Sequence, residues 1–289
     1  MYNKFKEIIM KKNIFMICIL TILLSCFATH IATAWEEPSE EEIIEDYSSR
    51  YSHVTNETLR EIAILYGIVR NIFDSGRDRE MAELLLAFLR DEENWSIDVG
   101  NELSFIYRNV SEDDMVRIYN WEFESATGDT FHTIIQYRSE SGTINAVQIS
   151  GWGGYDEQIH PLGFRWGHGY GVGFKIEEQT YLIWAHARAG GFMSHASFVA
   201  VRLLDGRIEP YLAFNGNNHL GFMVGTQFGG IIEDFDIQFD EEPFLIRIFY
   251  NPHEINSRQP NNILDFAFNG TEFLGDYSRF NEIVNFRRY

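Results

Sequence analysis

The spacing of apolar residues changes at about residue 96, and that change constrains the fold more than any other feature. Upstream, Leu59, Ile62, Ala63, Tyr66, Val69 and Phe73 recur every three or four residues, which places them on one face of a helix. Thr55 and Asn56 precede them as candidate caps. Asp74-Ser75-Gly76 interrupts the stripe, and Met81, Leu84, Leu85, Phe88 and Leu89 resume it as far as Arg90. Two amphipathic helices joined by a short turn make a helical hairpin over 55–95, and its apolar faces need a partner.

Downstream the period becomes that of strands. Short apolar runs occupy Met115–Trp121, Phe131–Tyr137, Thr143–Ile149, Gln179–His186, Ser197–Leu204, Arg207–Phe214, Phe244–Tyr250 and Ile263–Phe268. Ser141-Gly142, Asp205-Gly206, Asn215-Gly216 and Asn269-Gly270 punctuate them. Asp205-Gly206 is the strongest hairpin signal, because a two-residue turn of that type suits strand twist. Aromatic residues at 15% and 23 glycines against six prolines agree with strands and tight turns. No helical stretch separates the runs, so parallel crossovers are not expected. The fold class is α+β, mainly β: the helical hairpin, then an antiparallel domain over 96–289 built as a sandwich or roll.

The N-terminal 34 residues read differently. Lys4, Lys6, Lys11 and Lys12 precede an apolar run from Ile14 to Leu24, and Ala32-Thr33-Ala34 follows it. These are the three parts of a secretory signal peptide. The run is shorter than the roughly 20 apolar residues a membrane span needs, so no transmembrane span is expected in the mature chain. Cleavage after Ala34 is favoured. Leu23-Leu24-Ser25-Cys26 resembles a bacterial lipobox, and the alternative is a lipid-bearing Cys26. The expected location is extracytoplasmic: periplasm, cell envelope or medium. Both cysteines, Cys18 and Cys26, lie in the signal, so the chain after Ala34 can form no disulfide. Next come residues 35–54, whose acidic run Glu36-Glu37-Pro38-Ser39-Glu40-Glu41-Glu42 reads as a solvated, mobile leader.

Setting aside the signal's four lysines and one glutamate lowers the formal charge from −20 to −23. Such a chain repels phosphate backbones, which argues against nucleic-acid partners.

Ser111-Glu112-Asp113-Asp114 leads into a strand that ends Tyr119-Asn120-Trp121-Glu122, and Thr127-Gly128-Asp129-Thr130 turns into the next. This segment resembles a motif of uncharacterised exported bacterial β-rich proteins, Ser-x-Asp-x4-Ile-Tyr-x-Trp-Asp followed by Gly-Gly-Thr. The match covers about residues 111–137, and this chain departs from it at Glu122 and Asp129. The resemblance implies an exported β-rich fold and brings no activity or catalytic residue with it. The segment also echoes one propeller blade, but no second copy follows at the roughly 40–45-residue repeat of a propeller, so a partial propeller ranks below a sandwich or roll. On the residues alone, Tyr119 and Trp121 are expected to pack inside.

The densest cluster of glycines and rings lies between 151 and 171, where Trp152, Tyr155, Arg165, Trp166, His168 and Tyr170 are the candidate ligand-binding residues. Exposed rings on a glycine-rich loop would stack on a neutral glycan or a peptide, and Arg165 would hold a carboxylate. No cofactor motif is present, and His160, His168, His186 and His195 lack the spacing of a metal site. Glu233 to Asp240 alternates acid with apolar residues, as one solvated strand face does. With no Gly-x-Ser-x-Gly elbow, no catalytic residue is assigned. The expected function is a non-catalytic binding or envelope-associated domain whose partner is a neutral glycan, a peptide or an envelope protein. The alternative is an extracytoplasmic hydrolase of glycans or peptides, which would need two carboxylates across a cleft. Intact-mass measurement of the exported protein should find a chain that starts at Trp35. A diacylated Cys26 terminus would show that the lipobox is used instead.

Overall fold

A helix needs its first four N–H groups satisfied, and Ser39 supplies a capping box for the first one. Its hydroxyl accepts from the Glu42 N–H at 3.3 Å, and the Glu42 carboxylate accepts from the Ser39 N–H at 2.9 Å. In the computed structural model, which describes residues 38–72, 74–123, 130–150, 170–189, 193–225, 232–238, 243–250 and 262–285, helix α1 runs Glu40–Arg50. This corrects the expected mobile leader. Glu40, Glu41 and Glu42 form the first turn, where negative charge suits the helix dipole. Ile43 and Tyr47 are its buried stripe.

The expected hairpin is present as α2 (Glu57–Ile72) and α3 (Ser75–Arg90). Asp74 caps α3, accepting from the Gly76 and Arg77 N–H groups at 2.8 and 3.3 Å. Gly67 has a specific reason to lack a side chain, since a Cβ there would overlap the Tyr47 ring of α1. A further short helix, α4 (Val99–Glu102), precedes the strands.

Among the described residues the β region forms three antiparallel sheets, none of them closed into a barrel. The first has order β1 (Tyr107–Val110), β2 (Val116–Phe123), β3 (Thr130–Arg138) and β4 (Ile144–Ser150). The second has order β5 (Tyr170–Glu177), β6 (Thr180–Ala189), β7 (Met193–Leu204) and β8 (Arg207–Pro210), with β9 (His219–Val224) also on β7. The third has order β10 (Ile232–Gln238), β11 (Leu245–Tyr250), β12 (Asn262–Phe268) and β13 (Phe273–Leu274). Helix α5 (Tyr277–Asn285) follows.

The layers stack, and alternation along each strand shows how. On β2, Tyr119, Trp121 and Phe123 join the helices in one core, while Val116 and Ile118 join the second sheet in another. On β7, Val199, Val201 and Leu203 face that same core, whereas Ala196, Phe198 and Ala200 face the third sheet and α5. Sheets one and two are therefore apolar on both faces. The third sheet is one-sided. Its outer face carries the cross-strand Arg247–Asp265 pair, with both hydrogen bonds at 2.8 Å.

Polar bolts fix the first two sheets together. The Tyr181 hydroxyl donates to Asp113 at 2.8 Å, and the Tyr137 hydroxyl donates to the Leu204 carbonyl at 2.9 Å. Ser111 and Asp113 also close their own turn. The Ser111 hydroxyl donates to Asp113 at 2.7 Å and accepts from the Val116 N–H at 3.0 Å. Tyr119 and Trp121 are buried as expected.

The hairpin at Asp205-Gly206 joins β7 to β8, with Leu204 opposite Arg207. The run expected over Arg207–Phe214 ends as a strand at Pro210. Asn215 and Gly216 both take positive φ, 49° and 78°, and close a separate turn between Phe214 and Asn217. That is the backbone such a pair favours.

Leu85 on α3 is fully buried between the helices and the first sheet. Leu85→Ala should cost about 2–5 kcal/mol in urea melts. A loss near zero would mean that the helical layer adds little to the stability of the stack.

Candidate functional site

Trp152, Tyr155, Arg165, Trp166 and His168 lie outside the described residues, as does Cys26. Tyr170 opens β5, where its backbone pairs with Ala185; its side chain is likewise outside. Nothing described brings the expected site together. Sequence reasoning passed over a different one.

Helices α1 and α2 meet the 103–107 segment and the end of β2 around an open cavity of about 360 Å³. Its floor is four rings: Tyr47, Tyr51, Tyr66 and Phe105. They hold one another. Phe105 stacks on Tyr66 at 3.8 Å, Tyr51 meets Phe105 edge-on at 6.0 Å, and Tyr47 meets Tyr66 edge-on at 6.4 Å. Two floor hydroxyls are engaged, Tyr51 with the Ser104 hydroxyl at 3.2 Å and Tyr66 donating to the Glu122 carbonyl at 3.3 Å.

Arg50, Arg70, Ser104, Tyr107 and Glu122 complete the lining. The guanidinium of Arg50 lies 4.9 Å from the centre of the Tyr47 ring and pairs with Asp46 at 2.7 Å. Burial pushes the Tyr66 hydroxyl above its ordinary pKa; Arg70 pulls it down and Glu122 pushes it up, so both charges act on the same hydroxyl. Tyr107 is 67% exposed.

From this cavity a line of rings runs inward. Tyr66 stacks on Phe123 at 5.0 Å, Phe123 meets His132 edge-on at 5.5 Å, and His132 lies flat on Trp121 at 4.9 Å. The line ends at a buried acid–base pair, His132 Nε2 to Asp78 Oδ2 at 3.3 Å. Asp78 is 4% exposed and His132 1%. Four atoms here, Asp78 Oδ1, His132 Nδ1, His132 Nε2 and Trp121 Nε1, are buried without a hydrogen-bond partner among the described residues, so the 3.3 Å approach is a close contact and not a hydrogen bond. Such burial keeps the pair from any substrate that enters by the cavity, although acid and imidazole are otherwise a general-base combination.

Burial alone pushes the Asp78 carboxyl from 3.8 up to about 7 and the His132 imidazole from 6.5 down to about 4. Between those limits the folded pair is a neutral acid beside a neutral imidazole. The unfolded pair is a carboxylate and an imidazolium. Each state holds one proton, so the two linkages oppose each other. Among the described residues no group of three or more acidic, histidine or cysteine side chains is placed to hold a metal.

No known protein family, curated protein or solved structure matches this chain.

The opposed linkages can be separated by mutation. Asp78→Asn leaves His132 with its depressed pKa, so stability present above pH 6.5 should be lost as pH falls toward 4, by up to about 3 kcal/mol. His132→Gln leaves Asp78 with its raised pKa, so stability present below pH 3.8 should be lost as pH rises toward 7. Urea melts of both variants across that range check the opposite slopes. Parallel slopes would refute the opposed linkages.

Proposed function

We propose that this chain is an exported, non-catalytic binding protein whose ligand seats in the tyrosine cavity between α1, α2 and the end of β2. One observation carries this reading. The cavity has an aromatic floor and two arginines in its lining, and Glu122 is the only acidic residue among the described lining residues. Hydrolysis of a glycoside uses two carboxylates across the scissile bond, and the described lining offers one. A concave aromatic surface with a few polar groups is what a small-ligand site requires. The volume of about 360 Å³ sits at the small end of the roughly 300–1,000 Å³ such sites span.

Export rests on the basic start, the short apolar run and Ala32-Thr33-Ala34. Release after Ala34 gives a chain free in the periplasm or medium, whereas modification at Cys26 would tether it to the envelope. The partner is then a glycan or peptide met outside the cytoplasm, and the charge of −23 left without the signal's four lysines and one glutamate disfavours polyanions. Among the described residues no helix is long and apolar enough to cross a membrane.

Ser104 lies on the rim and is exposed, so Ser104→Trp should fill the cavity while leaving the fold intact. Ligand-observed NMR with a library of small polar compounds should find binders to the wild type that this variant loses at an unchanged melting temperature. Binders that Ser104→Trp does not displace would overturn the assignment of the cavity as the site.

A further inference from the structure

We infer that Asn269 is a self-modifying residue, at which the chain closes a succinimide on its own backbone and releases ammonia. The site is independent of the cavity and needs only water. The chain has two Asn-Gly pairs, Asn215-Gly216 and Asn269-Gly270, and all four residues are exposed. Asparagine before glycine favours this ring closure, because the attacking nitrogen belongs to a residue with no Cβ to hinder it. Sequence and exposure therefore admit both pairs, and the structure separates them.

The difference lies in the side-chain carbonyl. Asn269 Oδ1 accepts from two backbone N–H groups, those of Thr271 and Glu272, each at 2.9 Å. Among the described residues no donor reaches Asn215 Oδ1; Asn215 is engaged through its backbone carbonyl, which accepts from the Asn217 side-chain amide at 3.4 Å. When a nitrogen attacks an amide carbon, negative charge builds on the amide oxygen. Two N–H groups already aimed at that oxygen stabilise the charge as an oxyanion hole does, since hydrogen bonds to a charged atom are the stronger ones. Gly270, at φ 99°, has open space where a side chain would stand, so a planar ring has room to form. The turn is also held in place, with the Asn269 N–H donating to the Glu272 carbonyl at 3.0 Å.

The step balances without an oxidant or a cofactor. Hydroxide removes the Gly270 amide proton, and the nitrogen bonds to Asn269 Cγ. The Cγ–Nδ2 bond breaks, and Nδ2 takes a proton from water as it leaves as ammonia. Water then opens the imide at either carbonyl. Opening at Cγ leaves an aspartate at 269, whereas opening at the backbone carbon leaves an isoaspartyl linkage that lengthens the main chain by one atom. That atom enters beside the Phe268–Phe273 pair that joins β12 to β13. Phe273 is fully buried and stacks on Phe214 at 5.1 Å, so the longer turn works against the packing of β13.

The test is storage of the purified mature protein at mildly alkaline pH, followed by peptide mapping with mass spectrometry, on folded protein and on protein unfolded in guanidinium. In the folded protein Asn269 should be modified about tenfold faster than Asn215. It should also be modified faster than Asn269 in the unfolded chain, where the two N–H groups are no longer aimed at Oδ1. Slower modification in the folded protein would mean that the turn protects Asn269, and the inference would be wrong. Equal rates at Asn215 and Asn269 would remove the role given to the Thr271 and Glu272 N–H groups. The isolated isoaspartyl form should melt below the wild type, while Asn269→Asp, with the same charge and an unaltered main chain, should not. An isoaspartyl form that melts with the wild type would overturn the effect on β13.

Discussion

Everything in this structure depends on two sheets that must be apolar on both faces. A one-sided antiparallel sheet can leave alternate residues to water, but sheets one and two cannot. Val116 and Ile118 point toward one core, Tyr119, Trp121 and Phe123 toward another, and β2 has no solvent face along most of its length. That constraint determines where polar atoms can go. Asn120, Thr133 and Gln136 are buried and hydrogen-bonded, Thr133 to Asn120 at 2.9 Å and Gln136 to the Leu89 carbonyl at 2.6 Å. Asp78 and His132 meet the same requirement by shedding charge, which is what burial of an ionisable pair without further partners favours.

The same constraint explains the motif centred on Ser111 and Asp113. Its residues form a joint between layers. Asp113 accepts from the hydroxyl of Ser111 in its own turn and from that of Tyr181 in the next sheet, while Tyr119 and Trp121 face the helical core. These hydrogen bonds tie the turn to the strand that follows it and to the second sheet.

The repetitive elements were legible in the sequence. The stripe from Leu59 to Leu89 gave both helices of the hairpin, and each of the eight apolar runs overlaps a strand. Glu233 to Asp240, read as a solvated strand face, contains β10. Elements whose signal is an interaction were missed. Helix α1 is announced by Ser39 and Glu42, three residues apart, but its acidic run reads as a solvated tail unless the capping box is noticed. Strands β1 and β9 are short and mixed in polarity, and they exist because β2 and β7 offer edges. The tyrosine cavity was illegible for a related reason. Tyr47, Tyr66, Phe105 and Glu122 come from four separate segments, and no local pattern joins them. By contrast, the glycine- and ring-rich stretch from 151 drew attention because its composition is concentrated in one place.

The stack also has two different ends. On one side three helices cover the first sheet with their apolar stripes; on the other, the third sheet closes the series with a face bearing Asp236, Arg247 and Asp265 in adjacent strands. These ends act as the terminal caps of a repeat array do. Any shortened chain that stops after the first or second sheet would present a whole apolar face to solvent, Val116, Ile118, Ile135 and Tyr137 in the first case. Such a face is an adhesive surface. Partial versions of this protein are therefore poor candidates for independent domains, and lengthening by one more sheet would require stripping the charges from the outer face. The architecture can vary in its loops far more readily than in its number of layers.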